Sequence, residues 1–328
     1  MSKQQQYNLM EQHRGVHADL LLMCLPLVAM AVFFYGLRPA LLCLTAIITA
    51  NLCDRIVALL RHTAYQKREW SSEAFAVMLT LMMPASVSYY VVFVGALATV
   101  MLGKEVFGGY GAYPFHPTAV GYAVVAVNWP EQMFQYPQPF SRLPLGMVEG
   151  VALAESPLHV LKNGGIPVLD AMELLLGNYA GAMGLTALLV TLACAVFLIS
   201  RRRISLLVSG GFLLGAALVA FVAPRMGFLQ EGPLLMDRLQ AVKYELCSGG
   251  MVFTAVYLLA DPVTLPKNRV SKLLFGLLLG FMSMMFRYYG IHEVGVCFAI
   301  LSVNAVSGWL DRSVRKLMSR KGVVRREF

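Results

Sequence analysis

The residues best suited to bind a ligand lie in the stretch Lys104–Pro117, which separates two long apolar runs. Its glycines let the backbone approach a ligand closely or adopt a positive φ, and its two prolines, such as Pro114, forbid a continuous helix. The rings of Tyr110, Tyr113 and Phe115 could stack on a planar group. A glycine- and proline-rich turn between two membrane spans has the same composition, so the pattern leaves both interpretations open.

Ionisable residues at the ends of other apolar runs form a second group of candidates. Asp261 precedes Pro262 and either terminates a helix or orders a surface for a cofactor or partner. Arg287 and Glu293 flank the gap between the last two apolar runs. Charged groups at membrane depth are functional candidates by default. Near an interface, however, long side chains reach water or pair with each other, so an ion pair between these two residues is an equal alternative.

A lone hydroxyl completes the candidates. Ser156 stands directly before Pro157 and Leu158, in a polar stretch that begins at Glu149. By itself this hydroxyl defines no function, because most loop serines are inert. The six histidines and six cysteines are dispersed without metal-ligand spacing. No phosphate-binding loop, nucleophile elbow or dinucleotide fingerprint occurs, so we predict no metal site and no self-contained catalytic site in this chain.

The elements that must position these residues are membrane helices. The chain of 328 residues is 58% hydrophobic and only 14% charged, which predicts an all-α polytopic membrane protein. Gly177, Gly181 and Gly184 recur at helical spacing and predict close helix packing where the sixth span begins. We predict about ten spans, at 20–37, 39–60, 73–87, 88–103, 116–130, 179–200, 204–223, 247–260, 271–287 and 292–310.

Charge predicts the orientation of these spans. Most of the 27 Lys and Arg residues fall on one side, which places both termini in the cytoplasm. The net charge of +9 is therefore a topology signal, and we predict no nucleic-acid partner. We predict a cytoplasmic tail over 1–19 and a first membrane half over 20–130. An outer loop over 131–178, a second membrane half over 179–310 and a second cytoplasmic tail over 311–328 follow.

The two membrane halves are predicted to be inverted repeats. The outer loop divides the spans into five and five, and an odd number makes the second half start from the opposite side. The stretch 72–84, SEAFAVMLTLMMP, is similar to 250–262, GMVFTAVYLLADP. Each is apolar, contains a threonine and ends at a proline. Inverted repeats of this kind commonly bind substrates or ions at broken helices.

Taken together, several stretches resemble one family. The chain is similar to the D subunit of Rnf-type electron-transport complexes and to the related B subunit of sodium-pumping NADH:quinone oxidoreductase. The resemblance rests on Lys104–Tyr122, Asn128–Met133, Glu155–Leu158, Gly177–Gly184, Leu258–Pro266 and Arg287–Arg312. It implies a bacterial or archaeal inner-membrane protein that couples electron transfer between NADH and ferredoxin to Na⁺ or H⁺ movement. It also implies partners of the A, B, C, E and G types within one complex.

The resemblance further implies flavin. In similar proteins an FMN is attached through its phosphate to a threonine of the outer loop, at the position of Ser156 before Pro157 and Leu158. A serine hydroxyl could form the same phosphoester, although Glu155 stands where relatives have alanine and its charge would repel the phosphate. A second, noncovalent flavin such as riboflavin is also implied. Around Lys104–Pro117 this chain departs from its relatives, with Tyr113 and a histidine, His116, where asparagine is common.

Two other functions agree with the same sequence. Five-plus-five spans with broken helices also suit a solute channel or transporter that has no redox cofactor. The altered loop around Ser156 suits a scaffold whose flavin site has decayed. We expect a flavin spectrum if the function is redox, and a colourless protein if it is solute transport.

Overall fold

The computed structural model describes residues 3–62, 70–148, 151–225 and 234–320. Side chains are described over 15–62, 70–148, 151–225 and 235–318. Helices dominate the described residues. The first membrane half holds α1 (Lys3–Tyr35), α2 (Arg38–Leu60), α3 (Ser71–Leu81), α4 (Tyr89–Leu97), a π-helix (Ala98–Glu105) and α5 (Pro117–Asn128). The following loop holds α6 (Pro130–Met133), β1 (Tyr136–Pro137), β2 (Leu153–Ala154), α7 (Pro157–Lys162) and α8 (Ala171–Leu176).

The second half repeats this mixture of long and short helices. It holds α9 (Leu188–Ser200), α10 (Leu206–Val222), α11 (Leu234–Cys247), α12 (Met251–Val256), a 3₁₀ turn (Leu258–Ala260), α13 (Arg269–Tyr289) and α14 (Val296–Arg320). The two short strands pair antiparallel, with Tyr136 opposite Ala154. They hold two segments of the outer loop together, beside the membrane helices.

The helices confirm an all-α protein built for a bilayer. Three of them are long and apolar enough to cross a membrane, at Gly15–Tyr35, Arg38–Leu60 and Arg269–Tyr289. Large apolar side chains face outward, as Phe33 and Leu59 do, while polar groups are buried between the helices. Apolar side chains thus lie on the outside as well as in the core, which is the distribution expected of a protein in a hydrocarbon solvent. The number of ten spans stays a prediction.

Two short helices break inside the bundle. All eleven residues of α3 are buried, and the chain leaves the helix at Leu81, shortly before Pro84. The 3₁₀ turn that extends α12 likewise ends at Asp261, before Pro262. Proline disfavours a helical residue before it and cannot donate a backbone hydrogen bond, which explains both ends. Within the predicted span 73–87 the helix therefore ends at Leu81, and the backbone is irregular from there on.

The sixth predicted span also begins late. Gly177 has φ of +84° and ends α8, and the helix that follows starts only at Leu188. The irregular backbone between them satisfies the broken end of α3, because Gly184 N donates to Leu81 O at 2.7 Å and Met183 N donates to Met83 O at 3.0 Å. A Cβ at Gly184 would lie 2.7 Å from Leu81 Cβ. The predicted helix packing of these glycines is wrong, and backbone pairing replaces it.

Polar contacts collect at the two ends of the bundle. At one end, Asp19 of α1 binds Arg203 at 2.6 Å and Arg201 at 3.2 Å, both in the turn between α9 and α10. At the other end, Tyr35 O accepts from Leu143 N of the loop. We call these the inner end and the outer end, after the predicted orientation. The topology predicted from charge, with the inner end in the cytoplasm, stays a prediction.

Candidate functional site

Ser156 begins a short helix at the outer end. Its Oγ accepts from the backbone N of His159 at 3.0 Å, so it caps the N-terminus of α7. Pro157 occupies the first helical position, where its missing N–H leaves no bond unmade. Ser156 is only 4% exposed, and Leu158 is buried beside it. Local sequence therefore explains the helix start, and the fold buries the candidate hydroxyl.

A carboxylate from the other half of the chain holds that hydroxyl. Ser156 Oγ donates to Glu293 Oε2 at 2.6 Å, and the second oxygen of Glu293 lies 2.9 Å from His159 Nδ1. Glu293 belongs to the turn between α13 and α14 and is 7% exposed. Lys162 donates to the carbonyl of Ile291 in the same turn. These contacts pin the outer loop onto the last two helices.

The arrangement around Ser156 does not fit an FMN phosphoester. Esterification removes the proton that Ser156 donates, and it places an anionic phosphate against the buried carboxylate of Glu293. Charge repulsion is strong where water is excluded. The pocket beside Ser156 contains Tyr136, Tyr179 and Val294, and no described residue that lines it is cationic. Nothing on these walls would balance the phosphate. Glu149, which begins the polar stretch before Ser156, lies outside the described residues.

The glycine-rich stretch folds as an irregular turn at the inner end, with some residues buried and others, such as Phe107, exposed. Gly108, Gly109 and Gly111 all have positive φ, between +79° and +113°, which explains why glycine is needed there. Tyr110 and Tyr113 point into the protein and are buried. Their rings are therefore occupied by packing within this chain, and they do not form an open stacking platform.

This turn meets the broken end of α12. Tyr113 OH donates to Asp261 Oδ1 at 3.1 Å, and Thr264 Oγ1 donates to Asp261 Oδ2 at 3.2 Å. His17 Nε2 of α1 lies 3.5 Å from Asp261 Oδ1. Asp261 is completely buried. With His116, described below, we call these residues the His–Asp cluster: His17, Tyr113, His116, Asp261 and Thr264.

His116 is the unsatisfied member of the His–Asp cluster. It is 1% exposed, and neither ring nitrogen makes a hydrogen bond of normal geometry to a described residue, although the carbonyl of Leu258 lies nearby. Its ring packs edge-on against Phe75 of α3 at 5.3 Å, and the ring of His17 packs against the same phenylalanine at 5.1 Å. The two imidazoles thus share one aromatic neighbour. The sequence identified Asp261 and noted His116, but His17 carried no signal.

A buried lysine forms a separate network nearby. Lys104 lies in the π-helix, and its Nζ donates to Ser72 Oγ at 2.8 Å and lies 3.7 Å from Asp54 Oδ1. Glu105 pairs with Arg61 at 2.9 Å. A π-helix widens the turn and is common at functional sites. Sequence reasoning missed Asp54 and Ser72, although a charged residue within an apolar run was a usable signal.

Arg287 and Glu293, for which an ion pair was one of the alternatives, bind other residues. Arg287 NH1 instead binds Glu245 Oε2 at 3.0 Å, and Arg225 Nε binds the other oxygen of Glu245 at 2.7 Å. Arg225 also lies over the ring of Tyr288, 4.8 Å from its centre. The outer end therefore holds two separate polar groups. The triad of Arg225, Glu245 and Arg287 joins α11 to α13. Ser156 and Glu293 join α7 to the turn between α13 and α14.

A second buried arginine ties the first half to the outer loop. Arg38 is 1% exposed and donates to Ala85 O at 3.0 Å, to Val87 O at 2.9 Å and to Pro144 O at 3.0 Å. It also donates to Gly146 O. These carbonyls belong to irregular backbone that no helix satisfies. The sequence offered one signal, a lone arginine between two apolar runs.

Known proteins match this chain over nearly its full length. The pattern of the NQR2, RnfD, RnfE family covers residues 2–319. The D subunit of the ion-translocating oxidoreductase complex of Alcanivorax borkumensis is 27% identical over 88% of this chain and 86% of its own length. The protein of the same name from Actinobacillus succinogenes is 27% identical over 91% of this chain and 91% of its own length. The one from Escherichia coli O1:K1 / APEC is 28% identical over 90% of this chain and 91% of its own length. The chain therefore belongs to the NQR2, RnfD, RnfE family.

Proposed function

We propose that this chain is the D-type membrane component of an Rnf-type complex, which couples electron transfer between NADH and ferredoxin to the movement of Na⁺ or H⁺. The family pattern over residues 2–319 carries the proposal. Buried ionisable groups beside two broken helices support it, because such groups mark ion paths in membrane proteins. The proposal includes partners of the A, B, C, E and G types, an inner-membrane location and cytoplasmic termini.

We infer that the bundle is a five-plus-five inverted repeat. Contacts within the two halves support this inference, since α3 packs on α1 and α2 as α12 packs on α9 and α10. The π-helix packs on α5 in the first half, as α13 packs on α14 in the second. The similar stretches 72–84 and 250–262 both form the broken helices. The two breaks then belong to equivalent positions in opposite orientations.

Removal of this chain should abolish coupled ion movement. In membrane vesicles from a strain that lacks it, ion movement driven by electron transfer between NADH and ferredoxin should fall at least about tenfold. Re-expression of the chain should restore it, and affinity purification of the tagged chain should recover the partner proteins. Unchanged ion movement would contradict the proposal. A colourless protein that purifies alone and moves a solute into liposomes would favour the transporter.

Ser156 should carry no flavin in the assembled complex. Its hydroxyl is engaged by Glu293, and the pocket lacks a described cation to hold a phosphate. Mass spectrometry of the proteolytic peptide that contains Ser156 should therefore find the unmodified mass. The denatured band of this chain should also lack flavin fluorescence in a gel, a measurement that noncovalent flavin does not affect. A peptide that carries FMN at Ser156 would contradict this prediction and support the covalent flavin that the resemblance implies.

A second variant tests the physical reason. Glu293→Gln keeps the shape of the side chain and removes its charge, so it lowers the repulsion that opposes an FMN phosphate. Flavin attachment that appears in this variant, and not in the unaltered chain, would identify the carboxylate as the obstacle. The noncovalent flavin stays a prediction, which the absorption spectrum of the native complex tests.

A further inference from the structure

The starting observation is the charge balance of the His–Asp cluster. Asp261 is completely buried, and among the described residues no Lys or Arg forms an ion pair with it. The side chains that contact its carboxylate there are two hydroxyl groups and the imidazole of His17. An unpaired carboxylate in such a place would carry a large desolvation penalty. The cluster therefore needs one positive charge beyond its neutral hydroxyls.

A bound proton can supply this positive charge, and it needs less space than a metal cation. It is bound either at His17 Nε2, which makes an imidazolium beside the carboxylate, or at Asp261 Oδ1, which makes a neutral acid beside a neutral imidazole. The two forms differ only in the position of one hydrogen between atoms 3.5 Å apart. Neither form changes the total charge. Either form leaves the pair neutral, with one proton held between Asp261 and His17.

His116 provides a second base. A neutral imidazole has one donor and one acceptor nitrogen. Neither buried nitrogen of His116 makes a hydrogen bond of normal geometry to a described residue, and the nearby carbonyl of Leu258 can engage only one of them. An unsatisfied polar group is unfavourable inside a protein, which makes this buried imidazole a candidate for a functional role. A free lone pair beside a group that holds a proton is a natural acceptor for it. His116 precedes α5, whereas His17 belongs to α1, so the two bases lie on separate elements.

The surrounding elements add few other titratable groups. Tyr110 and Tyr113 come from the glycine-rich turn, and Tyr110 packs edge-on against His17 at 5.5 Å. The ring of α3 that fills the centre, Phe75, is apolar. Hard cations such as Na⁺ prefer a shell of several oxygen atoms. The Asp261 carboxylate is contacted by two hydroxyl groups and by an imidazole nitrogen, a base that binds a proton and that hard cations do not prefer, so we assign a proton to this site.

We propose that the His–Asp cluster is a proton-binding site at the inner end of the ion path, with Asp261 and His17 holding the proton and His116 accepting it. This inference rests on the proposed function and names H⁺ as the ion that this site takes up. Only the proton moves in the step, from Nε2 or the carboxyl group to an imidazole nitrogen, and no electron is exchanged. Any conformational change that opens or closes the ion path involves the whole complex and is not part of this step.

Proton counting in the whole complex tests the site. The purified complex in liposomes should move protons when electrons pass between NADH and ferredoxin, in the absence of Na⁺. The number of protons moved per electron should fall at least about tenfold in Asp261→Asn and in the double variant His17→Gln, His116→Asn. His62→Gln, an exposed histidine of the described inner end, serves as the matched control and should keep the ratio.

Infrared spectroscopy gives a readout that is independent of transport. Titration of the complex should show a carboxyl or imidazole band that exchanges in D₂O and disappears in Asp261→Asn. If the complex moves Na⁺ and the variants leave the proton count unchanged, the proton site is wrong while the proposed function stands. If the complex moves no ion at all, the proposed function itself fails. A variant that does not assemble is replaced by the single His116→Asn substitution, whose band should shift without loss of the fold.

Discussion

Replacement of Glu245 by glutamine should lower the stability of the protein by about 3–5 kcal/mol, because two buried guanidinium groups would lose their shared counter-charge. Glu245 is completely buried between Arg225 and Arg287, with contacts of 2.7 and 3.0 Å. The neutral amide keeps the shape and leaves two positive charges close together.

The measurement is thermal unfolding of the detergent-solubilised protein, followed by the fraction that stays monodisperse. A surface pair provides the control, since Arg315 and Asp311 lie 3.3 Å apart on α14 with the arginine largely exposed. Arg315→Gln should change stability by less than about 1 kcal/mol. The Glu245→Gln, Arg225→Gln double variant should recover part of the loss, because it removes one of the two stranded charges. Equal effects of the surface and buried variants would refute this account.

The second large effect should come from Arg38→Met. Methionine keeps the apolar stem and removes the only described donor group that reaches Ala85 O, Val87 O and Pro144 O together. Each carbonyl that is left buried without a donor destabilises the fold by about 1–3 kcal/mol. The outer loop should detach from the break after α3, because the same guanidinium binds both segments.

Limited proteolysis of the outer loop measures this detachment. Cleavage after Arg142 should become faster in Arg38→Met, and the thermal midpoint should fall. Arg38→Lys should be intermediate, since a lysine donates from one point and cannot span carbonyls on two segments. Lys162→Met offers a comparison within the same loop, because Lys162 is partly exposed and reaches a single carbonyl. If that variant opens the loop as much as Arg38→Met does, the bridging role of Arg38 is wrong.

Helix positions followed from local sequence with useful accuracy. Apolar length predicted α2 and α13 to within a few residues, because each needs only a run of apolar side chains and its own backbone hydrogen bonds. The sequence also predicted in part where the two buried helices end. Pro84 and Pro262 terminate the two buried helices, and the similarity between those stretches pointed to equivalent elements.

Local sequence did not predict which residues contact each other in the sites. Glycine spacing predicted a helix where Gly184 in fact pairs its backbone with α3, since helical spacing and a close approach both favour glycine. Arg287 and Glu293 are near in sequence, yet each binds a residue more than 40 positions away. Which carboxylate meets which arginine depends on the packing of whole helices, and periodicity carries no information about it.

The sequence by itself determined that this is a helical membrane protein, the family to which it belongs, and the prolines that end its broken helices. Those properties depend on composition and on interactions between near neighbours. Only the tertiary structure decided that Ser156 caps α7 and is held by Glu293, and that Asp261 collects His17 and Tyr113. The physical reason is that burial and charge balance are set by segments that are distant along the chain and adjacent in space.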